Sequence, residues 1–193
     1  AEKGLAFTLQ PCAPHSPEIL AVHPFGRIPA LRDGEVTLFE TSAIVRYLDE
    51  CFGPAALLLP GSQLARAQCE QWVSAVNAYL YDTMARRYVL QYFFPRGADG
   101  QPDRGVIDGA LKEMPAQLAA LDKAYGAGDW LAGGALSLAD LFVAPILAYV
   151  ERMPEGPALL AAVPNVQRAQ AALRRRDSFI RTHPGQPPEG AKP

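Results

Sequence analysis

Read by the spacing of its apolar positions, the chain divides into two regimes. Up to residue 54 short apolar runs alternate with short helical patterns, and beyond residue 62 the pattern is helical almost to the end. Between them Gly53–Ser62, GPAALLLPGS, holds two prolines and two glycines and reads as an interdomain linker. In the first regime Leu5–Pro11, LAFTLQP, reads as a strand. Ser16–Val22 reads as a short helix, with Ser16 as N-cap and Pro17 at the first helical position. IPALRDG and EVTLFE are apolar runs separated by Asp33-Gly34, a hairpin signal. TSAIVRYLDECF then sets Ile44, Tyr47, Leu48 and Cys51 at helical spacing.

In the second regime a long helix is expected from Gln63 to about Phe94, with Cys69, Trp72, Val73, Val76, Leu80 and Met84 as its apolar stripe. A second stripe runs through Ile107, Leu111, Met114, Leu118 and Leu121, where Pro115 must kink the helix or start a new one. Leu136–Val150 and Asn165–Arg176 read as further helices, and 184–193 as a disordered tail. The expected division is therefore 1–54, 62–183 and 184–193, with no internal repeat.

Composition narrows the function. Hydrophobic residues at 49% and charged residues at 20% are ordinary for a globular protein. Lys plus Arg is 18 against 20 for Asp plus Glu, so the net charge is −2, and no field favours a nucleic-acid partner. Leu141–Val150 is free of charges but only about half the length of a membrane span, and it contains Pro145. The opening AEKGLAF has no secretory pattern. Cys12, Cys51 and Cys69 are odd in number and widely spaced, which points to buried, reduced thiols in a cytoplasm and excludes a CxxC motif.

Candidate chemistry sits at a few positions. Pro29, in GRIPAL, either ends strand pairing or marks a cis Ile28–Pro29 bond that turns the Ile28 main chain toward a peptide ligand. Glu40-Thr41 stands between a strand and a helix. Thr41 or Ser42 can serve simply as N-cap; alternatively the helix start and hydroxyl suit a carboxylate, and Glu40 suits an ammonium. Ser137 and Asp140 form an S-x-x-D capping box, with Leu136 and Leu141 placed as a staple, so Asp140 is expected to be buried and structural. Tyr79, Tyr81, Arg86, Arg87, Tyr88, Tyr92, Phe93 and Phe94 crowd one stretch, mostly core or interface, with Tyr79, Arg86 and Tyr88 as candidates for an apolar substrate pocket. His15, His23 and His183 meet no metal-ligand spacing, and no GxGxxG, phosphate loop or GxSxG elbow occurs.

Order and spacing add what the single signals lack. HPFGRIPALRDGEVTLFETSAIVRYLDE resembles the glutathione-binding half of the cytosolic glutathione S-transferases, with its N-P-x-G-x-[VI]-P-x-L turn, hairpin and E-S-x-A-I helix start. WLAGGALSLADLFVAPIL resembles the capping-box helix of the same superfamily, phi- and theta-like or related bacterial forms being nearest. The resemblance implies an α+β thioredoxin-like domain, truncated at its start, followed by an all-α domain, usually as a cytoplasmic homodimer. It implies a cis-Pro29, Ile28 pairing with the cysteinyl backbone of glutathione, and Glu40 and Thr41 on the γ-glutamyl end. His15 or Arg27 falls near the glycine end, and His23 departs from the common asparagine.

The implied activity is a glutathione transferase acting on small, largely apolar electrophiles, with no metal. The alternatives are a non-catalytic binding or scaffold protein, or a glutathione-dependent dehalogenase, isomerase or peroxidase. The family's first strand, the loop bearing its catalytic Ser, Tyr or Cys, and most of its first helix have no counterpart here, so that residue is expected upstream of Ala1. Cys12 is not its equivalent. The matter bears on rate. A thiol of pKa about 8.5 is only a few per cent thiolate at pH 7, and lowering it by two units is worth about 2.7 kcal/mol.

Overall fold

The computed structural model describes residues 1–53 and 58–182, which divide into a unit ending at Leu59 and a second beginning at Pro60. The linker expected over 53–62 falls partly, and the tail over 184–193 wholly, outside the described residues.

In the first unit, Ser16 Oγ accepts the Ile19 N–H and Pro17 opens α1 (Pro17–Leu20), as their residue types favour. β1 (Ala30–Asp33) and β2 (Val36–Phe39) pair antiparallel, with Ala30 opposite Phe39 and Asp33 opposite Val36. Gly34 takes the left-handed φ of 55° that so tight a turn demands. α2 (Thr41–Cys51) docks on this hairpin through the Tyr47 hydroxyl, which donates to Asp33 Oδ2 at 2.8 Å. At its far end the buried Asp49 pairs with Lys3 at 3.1 Å and accepts the Leu58 and Leu59 N–H groups.

Two expectations for this unit fail. Leu5–Pro11 forms no strand, and Phe7 and Leu9 stand 73% and 79% exposed. Its alternation has the strand period, but a lone extended segment has no neighbour to complete its hydrogen bonds. Nor are all three thiols buried. Only Cys69 is, while Cys12 is half-buried and Cys51, at the last position of α2, is exposed.

The second unit is helical. α3 (Gln63–Ala75) runs into a π-helical segment (Val76–Val89) and then α4 (Leu90–Phe93), so the long element is continuous but not uniform. Val76, Leu80, Met84 and Tyr88 are buried at every fourth position. In a 3.6-residue turn that stripe drifts round the helix, whereas the wider i→i+5 turn keeps it nearer to one line. α5 (Arg104–Tyr125) is one helix despite Pro115, which lies at an exposed position where its missing N–H faces no core partner. α6 (Leu138–Glu151), α7 (Gly156–Ala161), α8 (Pro164–Arg174) and α9 (Asp177–Thr182) complete the unit.

Two joints fix these helices. Asp122 on α5 accepts the Asn165 and Val166 N–H groups at 2.7 and 3.1 Å, capping α8 from a neighbouring helix. Gly156 lies so close to the Val150 carbonyl that any Cβ would overlap its oxygen. No described helix is long and apolar enough to cross a membrane.

Candidate functional site

The candidate residues of the first unit lie on two pieces of chain, the turn from His23 to Pro29 and the junction of β2 with α2. In the turn, the Gly26 N–H donates to the His23 carbonyl, and the Gly26 carbonyl accepts the His15 N–H at 2.8 Å. Gly26 has φ 64°, and a Cβ there would run into the His15 imidazole. Glycine is therefore required on both counts. His15 itself has φ 61° and Arg27 is exposed, so structure ties His15 to this turn and leaves Arg27 in solvent beside it. The Ile28–Pro29 bond is cis, and Ile28 is 55% exposed.

At the second piece the sequence suggests an ordinary cap and the structure differs. The N-cap is Glu40, with φ 67°, and its side chain makes no capping bond; Thr41 is already helical. The first-turn N–H groups of α2 thus have no side-chain cap, next to an exposed carboxylate and an exposed hydroxyl. A helix start of this kind favours an anion, and the flanking Glu40 favours a cation, as the two charges of an amino-acid end require. A left-handed backbone at glutamate costs of order 1–3 kcal/mol unless its surroundings hold it.

The other expected residues do not assemble into one place. Tyr88 is fully buried, its hydroxyl donating to Glu155 Oε2 at 3.1 Å and accepting the Glu155 N–H, so it is core rather than pocket lining. Burial first, then the Glu155 carboxylate, pushes its phenol well up. Tyr79 is 65% exposed, and Arg86 pairs with Asp82 in solvent. Ser137 and Asp140 form a reciprocal capping box in which Asp140 also accepts the Leu131 N–H at 2.9 Å. Burial pushes the Asp140 carboxyl up, against the pull of those donors. Among the described residues, no group of three or more His, Cys, Asp or Glu could hold a metal ion.

Two features escape the sequence reading. One is the buried His23 between Phe25 and Phe39, signalled only by an acceptor side chain two residues before an N–H. The other joins Tyr88, Tyr92, Arg104 and Glu155, residues up to 67 positions apart with no local signal.

Comparison with known proteins agrees with this geometry. Residues 1–51 match the glutathione S-transferase N-terminal domain model and residues 80–176 the C-terminal domain model. Glutathione S-transferase 3 of Zea mays is 31% identical over 186 residues, covering 94% of this chain and 83% of the relative. The crystal structure of glutathione transferase F7 from Populus trichocarpa superposes with a TM-score of 0.83 at 28% identity, covering 93% of this chain and 87% of that one. A glutathione S-transferase from Methylobacillus flagellatus, solved with glutathione bound, gives a TM-score of 0.71 at 30% identity, covering 88% and 83%. The first unit is thus a small thioredoxin-like domain and the second its helical companion, and the chain belongs to the glutathione S-transferase family.

Proposed function

We propose that this chain binds glutathione through the Ile28 main chain and the Glu40–Thr41 helix start, and that the protein transfers the glutathione thiol to small, largely apolar electrophiles. The observation that carries the reading is the left-handed Glu40 ahead of an α2 whose first turn has no side-chain cap. The α-carboxylate of the γ-glutamyl end suits the free N–H groups and the Thr41 hydroxyl, while its ammonium suits Glu40. Ile28 pairs strand-fashion with the cysteinyl residue, and His15 or Arg27 meets the glycine carboxylate. The relatives' names and the bound glutathione of the bacterial neighbour support the ligand class.

In this mechanism the first unit orients the ligand, and rate comes from holding thiolate and electrophile together. On this reading the protein is a homodimeric cytoplasmic enzyme.

Retention on immobilised glutathione tests the site. Glu40→Ala should weaken binding roughly tenfold or more, the usual loss for a charge-assisted bond, with little change in melting temperature. Undiminished retention removes Glu40 from the site. Turnover of a chlorodinitrobenzene-type electrophile by the natively sourced protein then separates a transferase from a binding module.

A further inference from the structure

The two pieces of chain that carry the candidate site are joined through one buried side chain, His23, which is 2% exposed. Its N–H donates to the Ile19 carbonyl at the end of α1 at 2.7 Å, and its carbonyl accepts the Gly26 N–H at 2.9 Å. Its imidazole Nδ1 accepts the Phe25 N–H at 3.2 Å. The ring lies 4.8 Å from the Phe39 ring and 6.0 Å, edge-on, from Phe25, whose own ring meets Phe39 at 6.3 Å. Phe39 ends β2 and directly precedes Glu40, while Phe25 and Gly26 directly precede Arg27 and Ile28.

We propose that His23 is a positioning residue for glutathione: through Phe25 it holds the turn before Ile28, and through Phe39 it holds that turn at a set distance from Glu40. The inference rests on the glutathione-binding reading above and deepens it. The chemistry lies in the acceptor. A side-chain acceptor bonding the N–H two residues on is the geometry of an Asx-turn, usually made by asparagine or aspartate. Nδ1 of histidine and Oδ1 of asparagine hang from the same atom, Cγ, so an imidazole that carries its hydrogen on Nε2 reproduces that turn. The larger ring adds what asparagine lacks, a surface for Phe39 to pack on. A core histidine that merely fills space has no need of the Phe25 N–H, and that difference can be measured.

The experiment compares wild type with His23→Asn, which keeps the acceptor, and His23→Leu, which keeps apolar volume and loses it. Calorimetric titration with reduced glutathione reads affinity, and thermal melting of the same samples reads folding. The Asn variant, which keeps the acceptor and loses the ring against Phe39, should bind between wild type and the Leu variant, and the Leu variant should bind roughly tenfold or more weakly than wild type yet melt cooperatively. Leu binding within about threefold of wild type overturns the proposal, as does an Asn variant as weak as the Leu one. Should the Leu variant fail to fold, hydrogen exchange at the Phe25 amide of wild type decides: protection supports the bond to Nδ1, and exchange at the rate of an exposed amide overturns it. Wild type that takes up no glutathione counts against the binding reading itself, and the Phe25 exchange still reports whether His23 holds the turn.

Discussion

Residue by residue, this chain puts its polar groups to two uses. Asp140 has its carboxylate inside the helical unit, accepting N–H groups from Leu131 and Ser137 and the Ser137 hydroxyl. Glu40 has its carboxylate in solvent on a left-handed backbone, accepting nothing from its own helix. A buried acceptor with several donors is a structural group, because removing it strands those donors without water. Asp140→Ala should therefore destabilise by about 3 kcal/mol or more, read as a lower denaturant midpoint, while the folded fraction still binds glutathione. A midpoint equal to wild type contradicts this. Residue type and spacing made the Asp140 role legible, since S-x-x-D ahead of an apolar run has one structural meaning. For Glu40 they left two readings open, an ordinary cap at Thr41 or Ser42 and a ligand-binding helix start. Thr41 and Ser42 are equally good caps in sequence, and only the backbone shows that Glu40 takes the cap position with its side chain uncommitted.

Among elements, legibility follows how local the deciding contact is. Ser16 with Pro17, and the glycine at position 34, settle α1 and the hairpin within a few residues. Leu5–Pro11 has the period of a strand, but pairing needs a neighbour, and no alternation pattern supplies one. Tyr88 looks like the other aromatic residues of its stretch, yet its environment is set by Glu155 at the start of α7, far along the chain. That carboxylate also takes the Tyr92 hydroxyl at 2.8 Å and Arg104 at 2.6 Å, fastening the π-helical segment, α4, α5 and α7 together. Burial alone pushes the Glu155 carboxyl up, but Arg104, Tyr92 and Tyr88 outweigh it and hold it below the ordinary value of 4.5. A depressed carboxyl stabilises the fold above its unfolded-state pKa, and the contribution is lost as pH falls through the folded one. The helical unit should accordingly lose stability on acidification below about pH 4.5. Glu155→Gln should be less stable at pH 7 and lose less between pH 5 and 3, measured by chemical denaturation across that range. Parallel losses in both proteins contradict the assignment.

Over the whole molecule, the two units carry different burdens. The helical one holds most of the buried apolar residues and fixes its elements by long-range polar joints. The first unit presents the groups suited to a charged tripeptide, held by a small cluster of His23, Phe25 and Phe39. Fold and family were legible because two motifs, over 23–50 and 130–147, stand in order in the two units, and the family models match residues 1–51 and 80–176 around them. The electrophile was not, since Tyr79 and Arg86 are surface groups compatible with many and Tyr88 is core.

The most direct measurement is the titration of isotope-labelled protein with reduced glutathione, followed by amide chemical shifts. The account predicts that the largest changes fall on Ile28, Thr41 and Ser42, with smaller ones at Phe25 and Gly26. Changes centred elsewhere on the chain, or none at millimolar glutathione, contradict it.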